Sequence, residues 1–313
     1  MPDLMRSRFF NAVRYDSGTH SILKTSTDQD KLRDEINWYL QLPSEYQHLV
    51  PEVLEHGLQE EPFLRLAYVG LPTLADLWVH KRLSPLQWKQ VWEQLDELLL
   101  LFRSHSAIVT AEDMEDMYIH KTHERLQAFL EGCSWAQQVY AAGSFRLNGR
   151  LLSCPIRLLE EGRPDLRRLC TSPQPALLHG DLCFSNVLYA PSTRKMLLID
   201  PRGRFGQAGI SGDQRYDLAK LRHSLSGYDY LVRGMYRLIT ASYDLHLDIP
   251  HQQLREQLRR EWDSRHAHIL ESIRCIECLL YLSMLPLHQE DSKRQLALYA
   301  TGTALLHDVL MHR

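Results

Sequence analysis

ALLHGDLCFSNVLYAPSTRKMLLIDPRG, residues 176–203, is the stretch on which the reading of this chain turns. Val187-Leu188-Tyr189 and Met196-Leu197-Leu198-Ile199 are short apolar runs, and Ala190 to Lys195, with Pro191 and Ser192, carries turn chemistry between them. The pattern predicts an antiparallel hairpin. Asn186 then opens the first strand and Asp200 closes the second, so both side chains fall at the same open end. Asp181, five residues before Asn186 on a tight loop, reaches that end too. Two carboxylates and a carboxamide oxygen make a hard-oxygen environment suited to magnesium, which keeps several waters and shares phosphate oxygens. Phosphoryl transfer needs such a site and a separate carboxylate that orients and deprotonates the attacking hydroxyl. Asp181 is accordingly the candidate base, and Asn186 and Asp200 are candidate metal ligands. Asp and Asn are also common at solvated hairpin ends; their joint spacing with His179-Gly180 favours the functional reading.

Nearer the N-terminus, RFFNAVRY, the turn signal Asp16-Ser17-Gly18 and HSILK read as a hairpin over residues 8–24. A helix is predicted from about Asp30 to Leu42, with Leu32, Ile36, Tyr39 and Leu40 on one stripe and Pro43 ending it. Strand candidates Pro51 to His56 and Phe63 to Val69 follow, closed by Gly57 and by Gly70-Leu71-Pro72. Beyond Thr73 the periodicity predicts helices over 73–80, 84–105, 112–141, 155–170, 213–245, 251–285 and 290–312, with extended structure only at 176–200. The expected class is α+β in two lobes, a small β-rich one over 1–70 and a large, mainly helical one over 71–313.

With 313 residues the chain can bury a core in each lobe. Its formal charge of -3 and mixed signs argue against nucleic acid as partner, since Arg255 to Arg265 is interleaved with Glu256, Glu261 and Asp263 at helical pairing distances. No apolar run is long enough to cross a bilayer, and Met1 to Phe10 lacks the apolar core of a secretory signal, so a cytoplasmic location without membrane insertion is expected. Six scattered cysteines do not form a disulfide framework. Cys275 and Cys278 sit in an apolar helical run without a second ligand pair and read as core residues.

HGDLCFSN resembles the catalytic loop of aminoglycoside phosphotransferases, choline kinases and related protein-kinase-like enzymes, with the catalytic Asp at 181 and the metal-binding Asn at 186. IDPRG stands in the place of the metal-binding Asp-Phe-Gly segment, so the resemblance makes Asp200 the main magnesium ligand, although Pro201 and Arg202 depart from that tripeptide. It further implies that Lys24 binds the nucleotide phosphates and is paired by Glu35, with the neighbouring Asp34 as rival. AYVGLPTL, residues 67–74, resembles the hinge whose backbone near Ala67 and Val69 holds adenine. Asp217 in GDQRYDLAKL resembles the aspartate that opens a helix and braces the catalytic loop, and His179 is expected to brace the same loop. RSRFFNAV takes the place of the glycine-rich loop, leaving phosphate coverage to amides around Ser7 to Asn11 or to Arg8.

The resemblance as a whole implies a phosphotransferase dependent on ATP and Mg2+, with a small-molecule hydroxyl as acceptor. Arg202, Arg204 and Arg215 cluster in sequence around the metal-binding loop and are candidate contacts for an anionic substrate. INWYLQLP, HGDLCFSNVLY, IDPRG and GDQRYDLAKLRHS together most resemble bacterial phosphotransferases associated with capsule and surface-polysaccharide synthesis. A protein kinase is the first alternative, but only about 13 residues separate Asp200 from GDQRYDLAKL and no A-P-E follows. A catalytically silent module with the same fold is the second.

Overall fold

The computed structural model describes residues 11–161 and 163–311, so the segment expected to cover phosphates lies outside the described residues apart from the backbone of Asn11. The chain divides into two compact units, each assembled from two stretches of sequence. One holds the described residues up to Ala107 together with Ala176–Gly212; the other holds Ile108–Pro175 and the residues from Asp213 onward. The break expected near Gly70 falls inside the first unit.

In the first unit, β1 (Asn11–Asp16) and β2 (Ser21–Ser26) form the expected hairpin, whose turn is tied by Gly18 and Thr19 N–H groups donating to Asp16 Oδ1 at 2.9 and 3.4 Å. Helix α1 (Gln29–Gln41) starts where the Asp28 carboxylate accepts the Lys31 N–H at 3.3 Å and stops at Leu42, which the following proline holds extended. Leu32, Ile36 and Tyr39 are buried along it as expected, while Leu40 turns outward. β3 (Val53–Gly57) and β4 (Phe63–Ala67) complete an antiparallel sheet of order β1-β2-β4-β3. Lys24, in β2, stands opposite Val13 on one side and Leu64 on the other.

Helices α2 (Leu74–Val79) and α3 (Pro85–Ser104) each open with a reciprocal cap, Thr73 with Asp76 and Ser84 with Gln87. Between them Trp78, Trp88 and Trp92 gather around Phe184, which is fully buried at ring separations of 6.4, 5.8 and 6.4 Å. The hairpin Val187–Ala190 with Lys195–Leu198 forms as the sequence predicts, in the register Val187 opposite Leu198. It is anchored to the segment before α2 by Tyr189 N–H donating to Pro72 O at 2.9 Å.

The second unit is mainly helical around Leu270–Ser283, which packs against Ser292–Met311, Gln214–Leu225 and Lys121–Gly132. Cys275 and Cys278 are buried on the central helix, where the Cys278 thiol donates to Arg274 O at 3.0 Å. The unit also departs from the expected run of helices. The helix predicted over 213–245 ends at Leu225, a short one follows at Tyr228–Val232, and the chain then forms the hairpin Arg237–Ala241 with Asp244–Asp248. A second hairpin, Ser144–Leu147 with Arg150–Ser153, turns at Asn148-Gly149, both in left-handed conformation. The two join by parallel pairing of Asp244 and Leu245 with Arg146 and Leu147, giving a four-stranded sheet with Leu245, Leu247, Phe145 and Leu152 buried.

The architecture is thus α+β, with a small N-terminal sheet region and a mainly helical C-terminal part. Among the described residues no helix is long and apolar enough to cross a membrane. Because three indoles enclose Phe184, Phe184→Ala should cost about 3–5 kcal/mol of stability through the cavity it leaves. Urea unfolding followed by tryptophan fluorescence reads this directly, as a lowered midpoint.

Candidate active site

Strand β2, helix α1 and the turn at Asp200 converge on one ammonium group. Lys24 Nζ donates to Glu35 Oε1 and Oε2 at 2.8 and 2.6 Å and to Asp200 Oδ1 at 2.8 Å. Lys24 and Glu35 are 6% and 5% exposed, while the Asp200 side chain is half-exposed. Asp34, the rival of Glu35, turns to the other side, where Arg204 Nε and Nη2 donate to its two carboxylate oxygens at 2.6 and 3.2 Å. The same helix fixes Trp38, whose indole N–H donates to Leu178 O at 2.7 Å, just before the loop that starts at His179.

Two carboxylates around one ammonium leave a surplus negative charge, and burial decides where it is least tolerated. Burial works against the charge on Lys24, but Asp200 and Glu35 outweigh it and hold the ammonium above its ordinary range. Glu35 is pushed up to about 7, first by burial and then by the Asp200 charge, with Lys24 only partly offsetting them. At Asp200 burial also favours the neutral form, yet the Lys24 ammonium holds the carboxyl below its usual range. Asp181 lies close enough for its charge to oppose that of Asp200.

The loop from His179 to Asn186 is held mainly through backbone partners. His179 is fully buried; its Nδ1 faces the Asp181 N–H at 3.3 Å and its Nε2 faces Ile199 O at 3.0 Å. A backbone N–H can only donate and a carbonyl can only accept, so Nδ1 carries the lone pair and Nε2 the proton. Asn186 Nδ2 donates to Asp181 O at 2.8 Å, which fixes the amide orientation; Oδ1 accepts from the Ser185 hydroxyl at 3.4 Å and keeps a second lone pair that can serve a cation. Ile199 N–H donates to Asn186 O at 3.0 Å, setting Asn186 and Asp200 at the same end of the hairpin. Asp200 itself has a φ of 57°, a left-handed conformation that Asp tolerates better than most residues. Gly180 has a φ of 78°, and a Cβ there would lie 2.7 Å from Arg202 Cβ, so the arginine stem runs over the loop beside Asp181.

The structure therefore brings Lys24, Glu35, Asp200, Asp181, Asn186 and His179 into one region of the first unit. Ala67 ends β4, and its N–H is already taken by Glu52 O at 2.9 Å, while Val69 O accepts the Leu71 N–H at 2.8 Å. Arg204 is engaged by Asp34 rather than presented to a substrate. Arg215 belongs to the second unit, is 3% exposed, and spends its guanidinium on Asp213 and Leu169 O. Asp217 also lies in the second unit, 1% exposed and one turn inside the helix it was expected to open; Asp213 is the capping residue. Sequence reasoning passed over Asp213, which gathers the Tyr118 hydroxyl, the Gln174 N–H and Arg215, although its position just before a helical run is a capping signal. It also passed over Trp38, one helical turn after Asp34 on α1. Among the described residues no group of three or more His, Cys, Asp or Glu side chains is arranged to hold a metal.

No protein-family model matches the chain, and no curated protein matches it. Among solved structures, a thermostable mutant of the aminoglycoside phosphotransferase APH(4)-Ia in its apo form overlaps 95% of this chain and 90% of its own, at 16% identity and a TM-score of 0.58. The ethanolamine kinase of Plasmodium vivax covers 98% of this chain and 84% of its own at 12% identity, with a TM-score of 0.45 that adds nothing to the assignment. The first likeness establishes the fold as kinase-like.

The raised Glu35 carboxyl gives a stability test. Between its ordinary 4.5 and about 7 the native protein binds a proton that the unfolded chain lacks, so this group's contribution is full below that window and declines as pH rises through it. From about pH 5 to about pH 8 the wild type should lose more stability than Glu35→Gln, measured as the shift of the urea midpoint. Parallel pH profiles would remove Glu35 as the group that carries the surplus charge.

Proposed function

We propose that the chain transfers the γ-phosphoryl group of ATP to a hydroxyl of a small molecule. The observation that carries this reading is the placement of Lys24 between Glu35 and Asp200, beside a loop in which Asn186 braces the backbone of Asp181. Burying an ammonium with two carboxylates is expensive, and a surface or core role would not call for it. Lys24 is placed to hold nucleotide phosphates, and Glu35 keeps it extended for that task. Adenine recognition would fall to the Ala67 carbonyl and the Val69 amide, because the Ala67 N–H and the Val69 carbonyl are engaged within the chain.

The Asp200 carboxylate and Asn186 Oδ1 are hard oxygen donors whose chemistry fits magnesium. When bound there, the ion would screen phosphate charge. Asp181 orients the acceptor hydroxyl and takes its proton. His179, with each ring nitrogen on a backbone group, keeps the loop in place. Arg202, its stem laid over Gly180 next to Asp181, is the arginine best placed to meet an anionic group on the acceptor.

The resemblance of residues 36–43, 179–189, 199–203 and 212–224 to capsule-associated phosphotransferases supports a sugar or surface-polysaccharide precursor as that acceptor, handled in the cytoplasm. A protein kinase is disfavoured by the segment after Asp200, which closes at once into the two-residue strands Arg204–Phe205 and Gln207–Ala208. A silent module is disfavoured by the intact Lys24, Asp181, Asn186 and Asp200.

Purified protein incubated with ATP, magnesium and a panel of hydroxylated metabolites should yield a phosphorylated product by mass spectrometry. With that acceptor, Asp181→Asn should lower turnover by roughly 10²- to 10⁴-fold while nucleotide binding survives. Asp200→Ala should instead abolish the magnesium dependence of ATP binding in calorimetry, since Asn186 alone is neutral. Near-full turnover by Asp181→Asn would dismiss it as the base.

A further inference from the structure

Helix α1 touches the segment around the candidate site along a single stripe. Asp34, Trp38 and Gln41 are spaced i, i+4 and i+7 and share one face. Asp34 takes the Arg204 guanidinium on both oxygens, Trp38 donates to Leu178 O, and Gln41 Oε1 lies 4.0 Å from where a Cβ of Gly209 would stand. The backbone comes closer still at Gly203: with a φ of 67°, a Cβ on it would lie 2.0 Å from Asp34 O. Only glycine lets the loop approach the helix so closely.

The loop on the other side of this contact is closed on itself. Gly209 N–H donates to Gly203 O at 2.9 Å, Arg204 pairs with Ala208, and Phe205 is 3% exposed. Arg204 therefore projects from a small, fully tied loop, and the Asp34 side chain it reaches is only 12% exposed. Glu35 follows Asp34 directly, so any rotation of α1 that frees Asp34 also carries Glu35 off Lys24.

We propose that Asp34 and Arg204 are positioning residues whose ion pair, seated over the Gly203 contact, latches α1 to the loop after Asp200 and keeps Glu35 on Lys24 without nucleotide. The role assigned to Lys24 in phosphate binding rests on the function proposed above; the latch itself does not. Its consequence is a nucleotide site assembled in advance, with no modification of an activation segment required. A surface ion pair without this role would contribute little and would leave Lys24 as it is.

The test reads Lys24 in the ligand-free protein, through the rate at which an amine-reactive reagent labels it, resolved by mass spectrometry and referenced to the exposed Lys89. Arg204→Ala should raise the Lys24 labelling rate about five- to tenfold as the open state becomes populated. The charge exchange Asp34→Arg with Arg204→Asp should bring it back toward wild type. Asp30→Ala, which removes a solvent-exposed pair with Arg33 on the same helix, should change nothing. If Arg204→Ala labels like wild type, or Asp30→Ala labels as fast as Arg204→Ala, the latch is overturned. Should Arg204→Ala fail to fold, Arg204→Lys keeps the charge but loses the two-pronged contact, and an intermediate labelling rate is expected; a rate equal to wild type counts against the latch. With an acceptor in hand, Arg204→Ala should raise the KM for ATP about five- to tenfold at nearly constant kcat, because saturating nucleotide restores the closed helix. An equal loss in kcat would assign Arg204 to the chemistry instead. A wild type that neither binds ATP nor turns over, yet shows the labelling pattern, would defeat the phosphotransferase reading and leave the latch standing.

Discussion

A single buried ammonium sets the terms for the first unit. Lys24 is all but withdrawn from solvent, and the carboxylates that take the place of water come from residues 11 and 176 positions away in sequence. A charge left in that position without them would cost several kcal/mol. The sheet register that turns Lys24 inward, the azimuth of α1 and the left-handed turn at Asp200 must therefore be right together or not at all. Two carboxylates are one more than the charge demands. The surplus falls on Glu35, the more buried of the two, while half-exposed Asp200 stays ionised and able to face a cation.

The parts of this arrangement that were legible in the sequence are those with short-range grammar. Short apolar runs around turn signals announced β1, β2 and the Val187–Leu198 hairpin, and the shared end of Asn186 and Asp200 followed from that hairpin. The choice between Asp34 and Glu35 was not available from periodicity, since adjacent helical residues differ by about 100° and either could face the strand. It is decided by Arg204, which lies 170 residues further on and draws Asp34 away. Arg204 and Arg215 illustrate the converse: a run of arginines near a site looks like an anion trap until the partners of each are known.

The second sheet was missed for a different reason. Asn148-Gly149 between Ser144-Phe145-Arg146-Leu147 and Arg150-Leu151-Leu152 is a strong hairpin signal, and Asp244 to Asp248 alternates buried leucines with polar residues. Both were masked by their setting among long helical runs. What joins them is also non-local: Asn148 Nδ2 donates to Leu247 O and its Oδ1 accepts the Leu247 N–H, each at 2.9 Å, across 99 residues. One asparagine thus makes the turn of its own hairpin and clamps the neighbouring one.

The interleaving of the two compact units bears on how the chain is made. Residues 108–175 leave the ribosome before the 176–212 stretch that the first unit requires, and well before the partner stretch from Asp213 onward that their own unit requires. Domains otherwise fold in order as they emerge. Here the N-terminal sheet and α1 must wait, with Lys24 unneutralised by Asp200, until translation has passed Gly212. The helices after Ala107 wait longer still. Nascent chains should therefore carry exposed apolar helix faces for most of synthesis, and no single cut between the units would release two independently folding fragments.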